Sequence, residues 1–190
     1  MRTTAAELRK VLLPAELAET ELSSKPASAV LVLLRPKGDG LEVLLGRRAR
    51  RQGDPWSGQI SFPGGHRHQE DVSLLVTALR ETNEEVNLDL TGRAEVLGHL
   101  PPRSPGNVPE MLVVPFVAYT NARVDPKPGP EIVETFWAPL AELPSSRSMT
   151  TVATRFGDLR VPAYLWKGLV IWGLTFRILE ELLLLVGMGR

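Results

Sequence analysis

The chain has 190 residues, 43% of them hydrophobic and 23% charged, and its 22 basic and 22 acidic side chains leave no net charge. That length builds one domain with its own core, and the charge balance excludes broad electrostatic binding to nucleic acid, which draws on a basic excess. The sequence contains no cysteine, which excludes a disulfide framework and any thiolate metal site.

Met1 to Leu22 mixes Glu7, Glu16, Glu19 and Glu21 with Arg2, Arg9 and Lys10 and has no long apolar run. It does not read as a secretory or transit peptide, and a cytoplasmic protein is expected. Leu8, Val11, Leu12 and Ala15 at helical spacing predict a helix over 5–20, weakened by Pro14. Residues 1–27 are therefore expected as an N-terminal helical extension, and 28–190 as a single domain. Ser28–Arg35 and Leu41–Gly46 are short apolar runs either side of Gly38-Asp39-Gly40, the pattern of a β-hairpin. Residues 47–61 are charged and turn-rich and lead into Phe62-Pro63-Gly64-Gly65. A helix is predicted over Asp71–Val86, with Asp71 as N-cap and Leu74, Leu75, Ala78, Leu79 and Thr82 facing inward. Ala94–Leu100 and Met111–Tyr119 read as strands joined by a Pro-rich loop, Thr135–Ala138 as another strand, and Pro139–Leu143 as a short helix. Trp172–Val186 closes the chain as a helix. Arg177, Glu180 and Glu181 interrupt its apolar run, so it is expected to be buried or dimer-facing rather than to span a membrane. The pattern of strand pairs and two main helices predicts an α/β or α+β sandwich.

Chemistry concentrates in Arg80-Glu81-Thr82-Asn83-Glu84-Glu85. Glu81, Glu84 and Glu85 stand at i, i+3 and i+4, which puts three carboxylates on one helix face. They repel one another at the negative end of the helix dipole. A divalent cation resolves the conflict, and oxygen ligands suit Mg²⁺ beside a phosphate. Arg80 can pair with a neighbouring carboxylate and fix its rotamer. Alone, such a string is most often a solvated helix face; the Phe-Pro-Gly-Gly turn at a fixed distance upstream gives it chemical meaning.

With that turn, the segment resembles the box of the Nudix hydrolase superfamily, G-x5-E-x7-R-E-U-x-E-E-x-G-U with U aliphatic. Gly65 stands for the first Gly and Asp71 for the first Glu. Arg80, Glu81, Glu84 and Glu85 match the core, and Leu88 the last aliphatic. There are four departures: Asp71 is not Glu, eight residues rather than seven precede Arg80, Thr82 replaces an aliphatic, and Asn87 replaces the closing Gly. Asn is the next-best residue for a left-handed helix cap.

Three further segments, Ser57–Gly65, Thr77–Glu81 and Ile171–Thr175, look like the coenzyme A pyrophosphatase-like branch, so the resemblance covers roughly 28–187. Leu44-Leu45-Gly46-Arg47-Arg48-Ala49 fits the lead-in of that branch in part. Gly53-Asp54-Pro55-Trp56 lies where its second Arg should be, with one residue extra.

The resemblance implies a Nudix α/β/α sandwich with a mixed β-sheet and the Nudix loop-helix-loop. It implies Mg²⁺ or Mn²⁺ on Glu81 and Glu85, with Glu84 close by and the Gly64 carbonyl in the shell. Gly65, Asp71 and Arg80 hold the box together. The general base is Glu81 or Glu85 through a bound water, or a loop carboxylate, Glu131 or Glu134. Among Arg47, Arg48, Arg50 and Arg51, and at Arg103, substrate phosphate contacts are expected, chiefly at Arg47, Arg48 and Arg103. His66 and His68 suit hard Mg²⁺ less well, and Trp56 is a candidate for stacking on a base. The implied reaction is hydrolysis of a phosphoanhydride in a nucleoside-diphosphate-linked molecule. Coenzyme A or a derivative leads, and ADP-ribose, NADH or dinucleoside polyphosphates are the alternative. A non-catalytic nucleotide-binding domain is a rival, although the box carboxylates are all present. A small nucleotide partner is expected, with no nucleic acid and no membrane, and a homodimer through the last helix.

Overall fold

The computed structural model describes residues 4–19, 27–155 and 157–188. In chain order they form α1 (Ala5–Val11), β1 (Ala27–Lys37), β2 (Gly40–Arg48), β3 (Ile60–Ser61), β4 (Gly64–His66) and α2 (Leu74–Val86). There follow β5 (Glu95–His99), β6 (Leu112–Tyr119), β7 (Ile132–Pro139), β8 (Arg147–Thr154), β9 (Gly157–Trp166), β10 (Leu169–Trp172) and α3 (Gly173–Leu185).

β1 is apolar on both faces because it is central. Its Ala29, Leu31 and Leu33 join one core with Leu74, Ala78 and Val86 of α2. Val32 and Leu34 join a second core with Leu8 of α1, Tyr164 and Trp166 of β9, and Phe176, Leu179 and Leu182 of α3. A strand buried on both sides reads as a continuous apolar run, and one flanked by a parallel neighbour usually does; β1 runs parallel to β6 from Ala27 opposite Leu112 to Leu34 opposite Tyr119. The result is a seven-stranded mixed sheet between layers, with β8, β9 and β10 forming a separate antiparallel sheet.

The hairpin of β1 and β2 is paired only near its turn, from Leu34 opposite Val43 to Lys37 opposite Gly40. Beyond that the strands part. β4 takes the freed edge of β1, with Val30 opposite Gly64, and β3 takes that of β2, with Gly46 opposite Ser61. The Phe62–Gly65 turn is thereby wedged into a fork of the sheet, facing α2.

Several elements differ from expectation. α1 stops at Val11, before Pro14, and a separate 3-10 turn covers Ala15–Glu19; the rest of the predicted extension, residues 1–3 and 20–26, lies outside the described residues. α2 begins at Leu74, and its N-cap is Ser73, whose hydroxyl accepts from Val76 N–H at 3.2 Å. Asp71 is not the cap because its carboxylate is turned inward and buried. The apolar face of α3 packs within the chain, with Phe176, Ile178, Leu179, Leu182 and Leu183 all buried, while Leu184 and Leu185 are exposed. No described helix is long and apolar enough to cross a membrane.

Candidate active site

The C-terminal half of α2 lies against the Gly pair. Gly65 has no room for a side chain: a Cβ there would stand 2.5 Å from Cδ of Glu81. At Gly64, φ is +150° and a Cβ would fall 2.3 Å from the Ala29 carbonyl oxygen. The two glycines thus let the turn pass between β1 and the carboxylates of α2. The Gly64 N–H donates to Glu85 Oε2 at 2.9 Å.

Arg80 organises the rest of the cluster. Its guanidinium donates to Asp71 Oδ1 and Oδ2 at 3.0 and 2.9 Å, to Glu81 Oε1 at 2.9 Å, to Glu84 Oε2 at 3.0 Å and to the His66 carbonyl at 3.1 Å. Asp71 also accepts from His68 N–H and from the Thr77 hydroxyl, each at 2.9 Å. These donors, Arg80 first, hold the Asp71 carboxyl well below the usual range against the opposing effect of burial. Between Asp71 and α2 the chain bends at Val72, which is 83% exposed. Thr82, in the place of an aliphatic, is fully buried, and its hydroxyl donates to the Ala78 carbonyl at 2.7 Å.

Glu85 is set apart. It is 3% exposed, and burial pushes its carboxyl up to about 7. The Gly64 N–H and the charge of Arg48 pull the other way, and Glu81 and Glu131 add to the rise. Arg48 Nη1 stands 3.7 Å from Glu85 Oε1, beyond hydrogen-bond length, while Arg48 Nη2 donates to Asp54 Oδ2 at 3.1 Å. The end of the helix is closed by the segment 127–129. Lys127 N–H donates to the Val86 carbonyl at 2.7 Å and Gly129 N–H to that of Glu85 at 3.1 Å. A Cβ on Gly129 would lie 2.8 Å from the Glu85 carbonyl oxygen, so the approach requires glycine. Asn87 takes the left-handed conformation expected of it, φ 51° and ψ 43°.

The donor set fits a hard divalent cation: two carboxylates, Glu81 and Glu85, meet the backbone of one Gly-Gly turn, and Glu85 has less compensation than its burial demands. Glu84 stands at the rim, its side chain 55% exposed. Among the described residues no three His, Asp or Glu side chains already converge as a closed cage; Glu81 and Glu84 share the guanidinium of Arg80 instead.

The match to known proteins follows these residues. The NUDIX domain matches residues 24–156, more than half of the chain. The chain belongs to the Nudix family. An uncharacterized Nudix hydrolase, NudL of Enterobacter sp. (strain 638), is 32% identical over 183 residues, 93% of this chain and 91% of that protein. Relatives of that kind make this Nudix protein a hydrolase. Among solved structures, the Nudix domain of Shewanella oneidensis NrtR, crystallised with ADP-ribose, is 23% identical. It aligns with TM-score 0.50 over 73% of this chain and 85% of its own. A C. elegans Ap4A hydrolase is also 23% identical, with TM-score 0.50 over 60% of this chain and 80% of its own. Both share the Nudix fold.

Other expected site residues fall elsewhere on the Nudix scaffold. Arg47 and Glu134 face each other across β2 and β7 and pair at 2.9 Å. The Arg47 guanidinium lies 5.7 Å from the centre of the Phe136 ring, which packs on the α3-side core. Among the described residues, neither Arg47 nor Glu134 bonds to a carboxylate of α2. Glu131 is the loop carboxylate whose charge acts on Glu85, and Arg51 holds it at 3.1 Å. Arg103 is turned to α3, where it pairs with Glu181 at 2.8 Å, and its backbone bonds to Val113 in both directions. His66 is tied by Nδ1 to the Ser28 hydroxyl at 2.9 Å. The sequence shows Asp54 only as part of the Gly53–Trp56 departure, without its partner Arg48, and gives no sign of Gly129. An Asp-Pro-Trp turn beside an arginine run was the available signal for the first.

Proposed function

We propose that this Nudix hydrolase cleaves the phosphoanhydride of a nucleoside-diphosphate-linked molecule, with Mg²⁺ or Mn²⁺ held by Glu81 and Glu85, Glu84 at the rim and the Gly64 carbonyl beside them. The observation that carries this reading is the meeting of Glu81 and Glu85 on Gly64-Gly65. When bound, the cation would offset diphosphate charge and make a water more acidic. The chain's own residues do the remainder. Arg80 and Asp71 hold Glu81 and Glu84 in place, and Gly64 N–H fixes the rotamer of Glu85. Arg48 offers a guanidinium to a substrate phosphate. The attacking water gives its proton to a carboxylate within hydrogen-bond reach. Glu85 or Glu81 is favoured by position, then Glu131, whose charge acts on Glu85 although Arg51 holds it; Glu134 pairs with Arg47 and acts on neither. Water adds to one phosphorus, the bridging P–O bond breaks, and two monophosphates leave.

Coenzyme A or a derivative is the leading substrate, giving 3′,5′-ADP and 4′-phosphopantetheine. The segments Ser57–Gly65, Thr77–Glu81 and Ile171–Thr175 and the placement of Arg48 at the site support it. The Gly53–Trp56 turn favours a second reading in which the flanking group differs, such as ADP-ribose, NADH or a dinucleoside polyphosphate. We propose further that residues 1–27 belong to the same cytoplasmic, single-domain enzyme. A mass-spectrometric screen with Mg²⁺ or Mn²⁺ over these compounds separates the substrates. Release of 3′,5′-ADP from coenzyme A above all others supports the first reading; preference for another dinucleotide replaces it with the second.

A further inference from the structure

Asp54 lies in the turn that departs from the family lead-in, and the structure gives that departure a place at the site. Asp54 Oδ1 accepts from Trp56 N–H at 2.9 Å, which locks the carboxylate within its own Asp-Pro-Trp turn. Its other oxygen, Oδ2, takes Arg48 Nη2 at 3.1 Å. The turn itself is anchored to the sheet: Arg48 N–H donates to the Gln59 carbonyl at 2.9 Å, and the Gln59 side chain donates to that of Pro55 at 3.3 Å. Asp54 is only 16% exposed at the side chain and Arg48 22%, so their attraction is little screened by solvent.

Arg48 therefore stands between two carboxylates and is hydrogen-bonded to one. It is held 3.7 Å from Glu85, close enough to be felt and too far to bond. Its Nε is buried with no acceptor among the described residues, so one donor of the fork remains unspent. A guanidinium that bonded Glu85 in a bidentate fashion would occupy the oxygens that a cation requires.

We infer that Asp54 is a positioning residue that restrains Arg48 from closing on Glu85, and so keeps the Glu85 carboxylate open to a divalent cation. This rests on the reading of Glu85 as a cation ligand. It makes the Gly53–Trp56 departure a local solution: where the related lead-in has a second arginine, this chain has a carboxylate that restrains the first.

The test is direct Mn²⁺ binding by calorimetry or electron paramagnetic resonance, with no substrate present, on the full chain, Asp54→Asn, Arg48→Met and the double variant. Circular dichroism checks that each is folded. The wild type binds Mn²⁺. Asp54→Asn, nearly isosteric, binds it about fivefold more weakly, a shift of the size that one partly buried charge pair supplies. Arg48→Met removes the competitor, so Asp54→Asn added to it changes nothing. Equal or tighter binding by Asp54→Asn, or an undiminished loss in the Arg48→Met background, overturns the inference. If the wild type itself binds no Mn²⁺, the cation reading of Glu85 fails first, and this inference with it.

Discussion

Glu85 joins the structure of the site to its energetics. A carboxyl raised from 4.5 to about 7 by burial opposes folding when it ionises. Its contribution is fully present below the unfolded value, near 4.5, and is lost as pH rises through about 7. Without added cation, stability should fall between pH 4.5 and 7 by roughly 3 kcal/mol, at about 1.4 kcal/mol per unit. Glu85→Gln should remove most of that slope, since the amide can still accept from Gly64 N–H. Urea unfolding at pH 5 and pH 8 checks it; an unchanged slope in the variant assigns the effect to another group. At this scale the sequence was informative where chemistry depends on spacing: Arg80, Glu81, Glu84 and Glu85 were read from the helical period. It was silent on partners that depend on the fork in the sheet. Arg47 and Arg48 are neighbours in sequence yet make separate contacts, one with Glu134 and the other with Glu85 and Asp54. Arg103 faces α3 because its backbone extends the edge of β6.

The elements that carry the site are set by their ends. Ser73 caps α2, so Ser73→Ala should cost about 1 kcal/mol. Asn87 closes the helix in a left-handed conformation, and its side chain donates to the Lys127 carbonyl at 3.1 Å. Asn87→Ala should cost about 1–2 kcal/mol, while Asn87→Gly should cost less because glycine adopts that conformation freely. Thermal unfolding ranks the three; a Gly variant less stable than the Ala variant would contradict the cap. Most of the strands and both long helices were legible because burial imposes a period. The sheet of β8 to β10 was not. β8 is Arg-Ser-Met-Thr-Thr-Val-Ala-Thr, with no residue fully buried; two of its three half-buried side chains, Thr150, Val152 and Thr154, are polar, so the alternation in burial is not matched by one in hydrophobicity. β3 and β4, two and three residues long, exist only because β1 and β2 part and leave edges to fill.

At the scale of the whole molecule, the central sheet separates two cores, and the site sits where the sheet opens toward the α2 core. The N-terminal helix is part of the other core. Leu8 is fully buried with Leu97, Leu100 and Leu182, and Leu13 pairs through its backbone with His99. Leu8→Ala should therefore cost about 2–4 kcal/mol and leave the α2 carboxylates untouched. Denaturant midpoints and residual activity check this together. A neutral effect on stability would mean that the segment is only appended. The proposed phosphate chemistry lies on one loop and one helix of the Nudix fold, which does not by itself fix the flanking group.

Hydrolysis of a phosphoanhydride at Glu81 and Glu85 is tested by product analysis in ¹⁸O-labelled water. Coenzyme A is incubated with the wild type and with Glu85→Gln, with Mg²⁺ and with excess chelator. The expected products are 3′,5′-ADP and 4′-phosphopantetheine, one of them carrying a single ¹⁸O on the phosphate that water attacked, and the rate should be at least about a hundredfold lower in Glu85→Gln, in the range expected for losing a group that acts in the transition state. Chelator should abolish the reaction. Undiminished cleavage by Glu85→Gln, or turnover that ignores the chelator, would contradict it.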